Sequence, residues 1–101
     1  MHYSTKMSTK KMSVKCKKFT VKGHVQGVGF RYYTSVQGLK LGLTGYVKNL
    51  NNGDVEVVAC GTNAQISVFT EWLKEGPRTA TVESVIQESA SYKPLRGFKI
   101  L

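Results

Sequence analysis

Two short stretches carry residue types that could do chemistry. The first is Gly23-His24-Val25-Gln26-Gly27-Val28-Gly29-Phe30-Arg31. Paired glycines let a main chain turn sharply and come close to a ligand, and successive N–H groups in such a turn form a nest for an anion. If the stretch joins a strand to a helix, the unpaired first-turn N–H groups and the helix dipole add to the same attraction. Arg31 then falls in the first helical turn, where a cation opposes the dipole, so its presence calls for an anionic partner. Its guanidinium fork holds two phosphate oxygens at once. Gln26, Gly27, Val28, Gly29 and Phe30 are thus a candidate backbone cradle for phosphate, with Arg31 as its side-chain ligand. The second stretch is Gly45-Tyr46-Val47-Lys48-Asn49-Leu50. Asn49 offers both a carbonyl acceptor and an amide donor, enough to hold and orient a water.

Each signal has a plainer alternative. A Gly-x-Gly followed by Arg also describes a tight strand-to-helix turn with an exposed cation, and an Asn before a turn also serves to close a hairpin. Two familiar phosphate loops are excluded. Tyr32 stands where a dinucleotide fingerprint needs its third glycine, and no Gly-Lys-Ser/Thr is present. Neither stretch contains a carboxylate or a cysteine, so no phospho-enzyme and no metal are expected. His24 alternates with Val25 and Phe19 and is read as a surface residue on the wet face of a strand. Cys16, Cys60, His2 and His24 match no zinc spacing. The two cysteines are expected to be free, mostly buried thiols in a reducing compartment.

The elements that must position these residues are legible from periodicity. Phe19, Val21, Gly23 and Val25 alternate with Lys18, Thr20, Lys22 and His24, which predicts a strand with one dry face. Tyr32, Val36, Leu39 and Leu43 recur at helical spacing, and Gly42 is placed to end that helix. Residues 44–50 read as a second strand, Asn51-Asn52-Gly53-Asp54 as a hairpin turn, and 55–60 as a third strand. Thr62 and Gln65 predict a capping box that opens a helix with Ile66, Phe69, Trp72 and Leu73 on its apolar stripe. Gly76-Pro77 ends it. A fourth strand is expected at about 80–89 with Val82 and Ile86 in the core, and a short extra C-terminal strand at 97–101. The order β-α-β-β-α-β is the split βαβ, or ferredoxin-like, α+β sandwich, with two helices on one face of an antiparallel sheet. In that topology the first and second strands run parallel with the third between them. The Gly27–Arg31 loop and Asn49 then share one edge.

Composition bounds what such a chain does. Its 101 residues suit one domain, and 41% hydrophobic content with two prolines excludes a chain disordered by composition. No apolar run approaches the roughly 20 residues of a membrane helix, and no secretory h-region is present. The net charge of +9 first suggests nucleic acid or another anion. Six of those charges are lysines within residues 1–18, which hold no acid, so the remainder carries +3. Residues 1–14 are read as a flexible basic tail and 15–101 as the folded domain. A presequence reading of the tail meets the absence of Arg within it. Nucleic-acid binding is not expected, because the third strand has no aromatic on which a base could stack.

Taken together, Gly-His-Val-Gln-Gly-Val-Gly-Phe-Arg (23–31) and Gly-Tyr-Val-Lys-Asn-Leu (45–50) resemble the acylphosphatase family. Asn52-Gly-Asp-Val-Glu-Val, Gly76-Pro77 and Gly97-Phe98-Lys99-Ile100 extend the resemblance over about residues 15–101. It implies a small cytoplasmic monomer that hydrolyses small anionic acyl phosphates to a carboxylate and phosphate, with no cofactor and neither a nucleic-acid nor a membrane partner. By motif position Arg31 is similar to the family's phosphate-binding arginine, Asn49 to its water-positioning asparagine, and residues 26–30 to its backbone cradle. Many members carry Arg at the position of Lys48 and Pro at that of Asn51. The basic N-terminal extension lies outside the family pattern.

Overall fold

The computed structural model describes residues 13–91 and 96–101. Most of the expected basic tail, residues 1–12, therefore lies outside the described residues. The elements run β1 (Lys15–His24), α1 (Phe30–Lys40), β2 (Thr44–Asn49), β3 (Val55–Gly61), α2 (Asn63–Glu75), β4 (Thr81–Ala90) and β5 (Phe98–Ile100). The sheet order is β4-β1-β3-β2-β5. All pairings are antiparallel except β2–β5, which is parallel and makes the sheet mixed. This is the expected α+β sandwich, with the C-terminal strand added beside β2. No helix among the described residues is long and apolar enough to cross a membrane.

One core holds the layers together. Phe19, Val21, Val47, Val55, Val57 and Ala59 from the sheet meet Phe30, Ile66, Phe69 and Leu73 from the helices. Phe69 sits at the centre, with its ring 6.0 Å from Phe19, 5.7 Å from Phe98 and 6.4 Å from Trp72. The start of α2 is set locally, as expected. Gln65 N–H donates to Thr62 Oγ1 and Thr62 N–H donates to Gln65 Oε1, which satisfies two otherwise orphaned donors. The end of α1 is equally local. Leu43 N–H donates to Gly38 O and Gly42 N–H to Leu39 O, the paired bonds of a Schellman ending.

Three expectations are corrected. The first concerns α1, only part of whose predicted stripe faces the core: Leu43 is buried there, but Tyr32 is 59% and Leu39 55% exposed, while Phe30, Thr34, Ser35 and Gly38 are buried. The helix lies close on β5, and a Cβ on Gly38 would collide with the Phe98 ring. Small residues permit that approach, so beyond Phe30 it is Thr34, Ser35 and Gly38, rather than Tyr32 and Leu39, that face inward. The second concerns β4, where Val82 packs on the core but Ile86 is 46% exposed and Val85 takes the inward place. The register against β1 shifts between Lys22 and Gly23, and a bulge of one residue flips the alternation.

The third correction is that the cysteines are not free. Cys16 and Cys60 are direct cross-strand partners in the β1–β3 register and form a disulfide with Cα atoms 4.0 Å apart. They lie on the sheet face away from the helices, beside Val58, Tyr46 and Ala90.

Candidate active site

β1 and β2 are both antiparallel to β3, which lies between them, so their C-terminal ends share one edge of the sheet. The Val25–Gly29 loop leaves β1 at that edge and Asn49 ends β2 there. The loop turns through two left-handed residues, Gly27 at φ 76° and Gly29 at φ 80°, a conformation that side chains with a Cβ rarely adopt. Gly29 is the N-cap of α1 and supplies no side-chain cap. Among the described residues, the N–H groups of Gly27, Val28 and Gly29 have no protein acceptor. The first-turn N–H groups of α1 are unpaired by the geometry of any helix start.

Two side chains pin the loop, one its own and one from outside. Gln26 Nε2 donates to Leu50 O and to Asp54 O, each at 2.8 Å. This ties the loop to the hairpin that follows Asn49. Thr79 Oγ1, from the connection between α2 and β4, donates to Val28 O at 2.7 Å. The hairpin is braced in turn by Leu50 N–H to Asp54 O at 2.8 Å, by Asn52 bonded to Asp54, and by the Lys22–Asp54 ion pair at 2.7 Å.

Val25, Gly27, Gly29, Phe30, Arg31, Tyr32, Asn49 and Ile100 line one pocket of about 200 Å³. Arg31 and Asn49, from different elements, are therefore brought together with both loop glycines. Arg31 Nη1 donates to the main-chain oxygen of Leu101 at 2.7 Å, which steadies the fork, and no side-chain carboxylate among the described residues pairs with it. The Asn49 side chain is exposed and has no hydrogen bond among the described residues. Of the expected cradle, Gln26 and Val28 do not line the pocket. Gln26 acts on it through the hairpin instead. His24 is exposed and outside the pocket.

The arrangement offers a fixed cation, unpaired N–H groups and an amide around a small space, a set suited to a tetrahedral anion and a water beside it. The acylphosphatase family model matches residues 17–100. The chain belongs to the acylphosphatase family. It is similar to an acylphosphatase of Vibrio parahaemolyticus, 78% identical over 90 residues that cover 89% of this chain and 100% of that protein. Among solved structures it is similar to an acylphosphatase from Coxiella burnetii, with 44% identity and a TM-score of 0.83 over 87% of this chain and 93% of that one. The acylphosphatase from Bacillus subtilis matches with 32% identity and a TM-score of 0.83 over 88% and 99%. The protein is accordingly an enzyme, and its family's reaction is the hydrolysis of acyl phosphates.

Sequence reasoning missed four contributors to this candidate site. Leu101 steadies Arg31, Thr79 holds Val28, and Tyr32 and Ile100 line the pocket. Only Tyr32 left a trace in the sequence, as a large aromatic directly after Arg31 in the first turn of α1. The others reach the site from distant parts of the chain.

Proposed function

We propose that this pocket hydrolyses acyl phosphates by direct in-line attack of water on phosphorus, with no phospho-enzyme and no metal. The observation that carries the reading is that Arg31 and Asn49 line one pocket with the two left-handed glycines of the loop. Arg31 and the N–H groups of the 26–30 stretch where it lines the pocket, at Gly27, Gly29 and Phe30, hold the phosphoryl oxygens, and Asn49 orients the water. The water oxygen bonds to phosphorus as the bond from phosphorus to the acyl oxygen breaks. That bond's electron pair leaves with the carboxylate, and a water proton passes to a phosphate oxygen. A carboxylate is a good leaving group, so positioning and charge stabilisation are sufficient. No carboxylate, imidazole or thiol lines the pocket among the described residues, which supports a route without a covalent intermediate. A space of about 200 Å³ lies below the roughly 300–1,000 Å³ of clefts that enclose drug-sized ligands. It suits a small anion rather than a nucleic-acid strand, and we read the working unit as a monomer.

The test is phosphate release from benzoyl phosphate in excess EDTA. The unaltered enzyme is expected to keep its rate. Arg31→Lys is expected to lose most activity, because a point charge does not reproduce the fork. Asn49→Ala is expected to lower kcat with little change in inhibition by inorganic phosphate, a loss of about 2.7–4 kcal/mol in transition-state stabilisation. Near-normal turnover by Asn49→Ala would remove the water-positioning role, and abolition of the wild-type rate by EDTA would remove the metal-free route.

A further inference from the structure

The pocket has two unlike halves. Gly27, Gly29, Arg31 and Asn49 supply N–H, guanidinium and amide groups, while Tyr32 and Ile100 supply large apolar side chains. Val25 and Phe30 also line it, but each is 1% exposed and belongs to the core beneath. Tyr32 and Ile100 are different, with 59% and 48% of their surface open to solvent. A single exposed apolar residue is ordinary. Here two converge on one small pocket, from the first turn of α1 and the end of β5, elements that pack on each other. Arg31 is the only charged side chain lining the pocket among the described residues, and it already bonds to Leu101.

The phosphoryl end is the same in every acyl phosphate, so the polar half cannot choose among substrates. The choice falls to whatever meets the acyl group. An apolar acyl group laid on Tyr32 and Ile100 removes apolar surface from water on both sides. An acyl group carrying its own carboxylate or phosphate would lose hydration there and, among the described residues lining the pocket, meet no second cation to replace it. We propose that Tyr32 and Ile100 form an acyl-binding wall, and that the enzyme selects acyl phosphates whose acyl group is apolar and uncharged. This deepens the function proposed above and rests on the phosphoryl group lying against Arg31 and the loop.

The experiment compares kcat/KM for benzoyl, acetyl and succinyl phosphate in the unaltered enzyme and in Tyr32→Ala, Tyr32→Phe and Ile100→Ala. Tyr32 is exposed on a helix, so its substitution spares the core. The unaltered enzyme is expected to favour benzoyl over acetyl over succinyl phosphate. Tyr32→Ala is expected to lower the benzoyl-to-acetyl ratio about tenfold, chiefly through KM, because contact with a non-reacting group binds ground and transition states alike. Tyr32→Phe is expected to keep the ratio, since it retains the ring. Equal efficiency on benzoyl and succinyl phosphate, or a benzoyl-to-acetyl ratio unmoved by Tyr32→Ala and Ile100→Ala, overturns the wall while leaving acyl phosphate hydrolysis in place. Failure of the unaltered enzyme on all three substrates overturns both.

Discussion

Arg31 shows how a residue of ordinary type becomes specific through its neighbours. Its bond to the Leu101 oxygen limits the motion of a long side chain, so in the proposed role less freedom is lost when it takes up a phosphoryl group. Tyr46 is a second residue whose surroundings change its chemistry, this time away from the pocket. Its hydroxyl donates to Glu56 Oε2 at 2.7 Å. Burial first, and then the Glu56 carboxylate, push its pKa from 10.0 up to about 12, because both disfavour a buried phenolate. The unfolded chain ionises this phenol near pH 10 while the folded chain keeps its proton. The folded state therefore binds more protons, and stability falls as pH rises from about 10 towards 12. Urea midpoints measured from pH 9 to 11.5 are expected to fall more steeply for the unaltered enzyme than for Tyr46→Phe. Parallel curves would show that Tyr46 contributes nothing to alkaline instability.

Among the elements, α1 is positioned by what it lacks. Gly38 is unfavourable in a helix interior by about 1 kcal/mol relative to Ala, yet its bare backbone admits the Phe98 ring. Gly38→Ala raises helix propensity and at the same time drives a methyl into a buried ring. Overpacking is expected to win, with a net loss of about 1–3 kcal/mol read from urea midpoints, and a gain in stability would refute the close packing. The loop and the β2–β3 hairpin are coupled by the two bonds of Gln26, and in the proposed mechanism Gln26 positions Asn49 through them. Gln26→Met keeps the side-chain length but loses both donors. A misplacement of about 1 Å can cost up to about 100-fold in rate, so a fall in kcat of about 10–100-fold is expected, with inhibition by inorganic phosphate little changed. The same substitution made on Asn49→Ala is expected to have almost no further effect, because residues acting through one another are not additive. A full second loss in that background would make Gln26 an independent contributor.

At the scale of the whole molecule, the Cys16–Cys60 bridge ties β1 to β3 across 44 residues of sequence. Cys16 lies near the start of β1, whereas the glycine loop follows its end, so bridge and pocket occupy opposite ends of the strand. Closing a loop of this length restricts the unfolded chain and contributes about 2–4 kcal/mol. Reduction by dithiothreitol, or Cys16→Ser, is expected to lower the urea midpoint accordingly while turnover of benzoyl phosphate at moderate temperature stays near its starting value. Loss of turnover well below the new melting temperature would show that the bridge shapes the pocket as well.

The sequence alone determined the features that depend on near neighbours: the two turning glycines before α1, the Thr62–Gln65 box, the hairpin at 51–54, and the Gly42 and Gly76 endings. Each is a local exchange of hydrogen bonds or a backbone angle that a few residues specify. The tertiary structure decided the rest. The face α1 turns inward depends on a ring sixty residues away in the chain. The inward residues of β4 depend on a bulge against β1. The state of the cysteines depends on strand register, although both stood on the parity opposite to Phe19 and Val57, a signal that the sequence did contain. Ile100 lines the pocket, and Leu101 and Thr79 hold Arg31 and Val28, only because the fold brings distant segments together. Periodicity tells that a side chain is apolar, but which apolar side chains are buried is settled by packing between elements, and packing is not a local property.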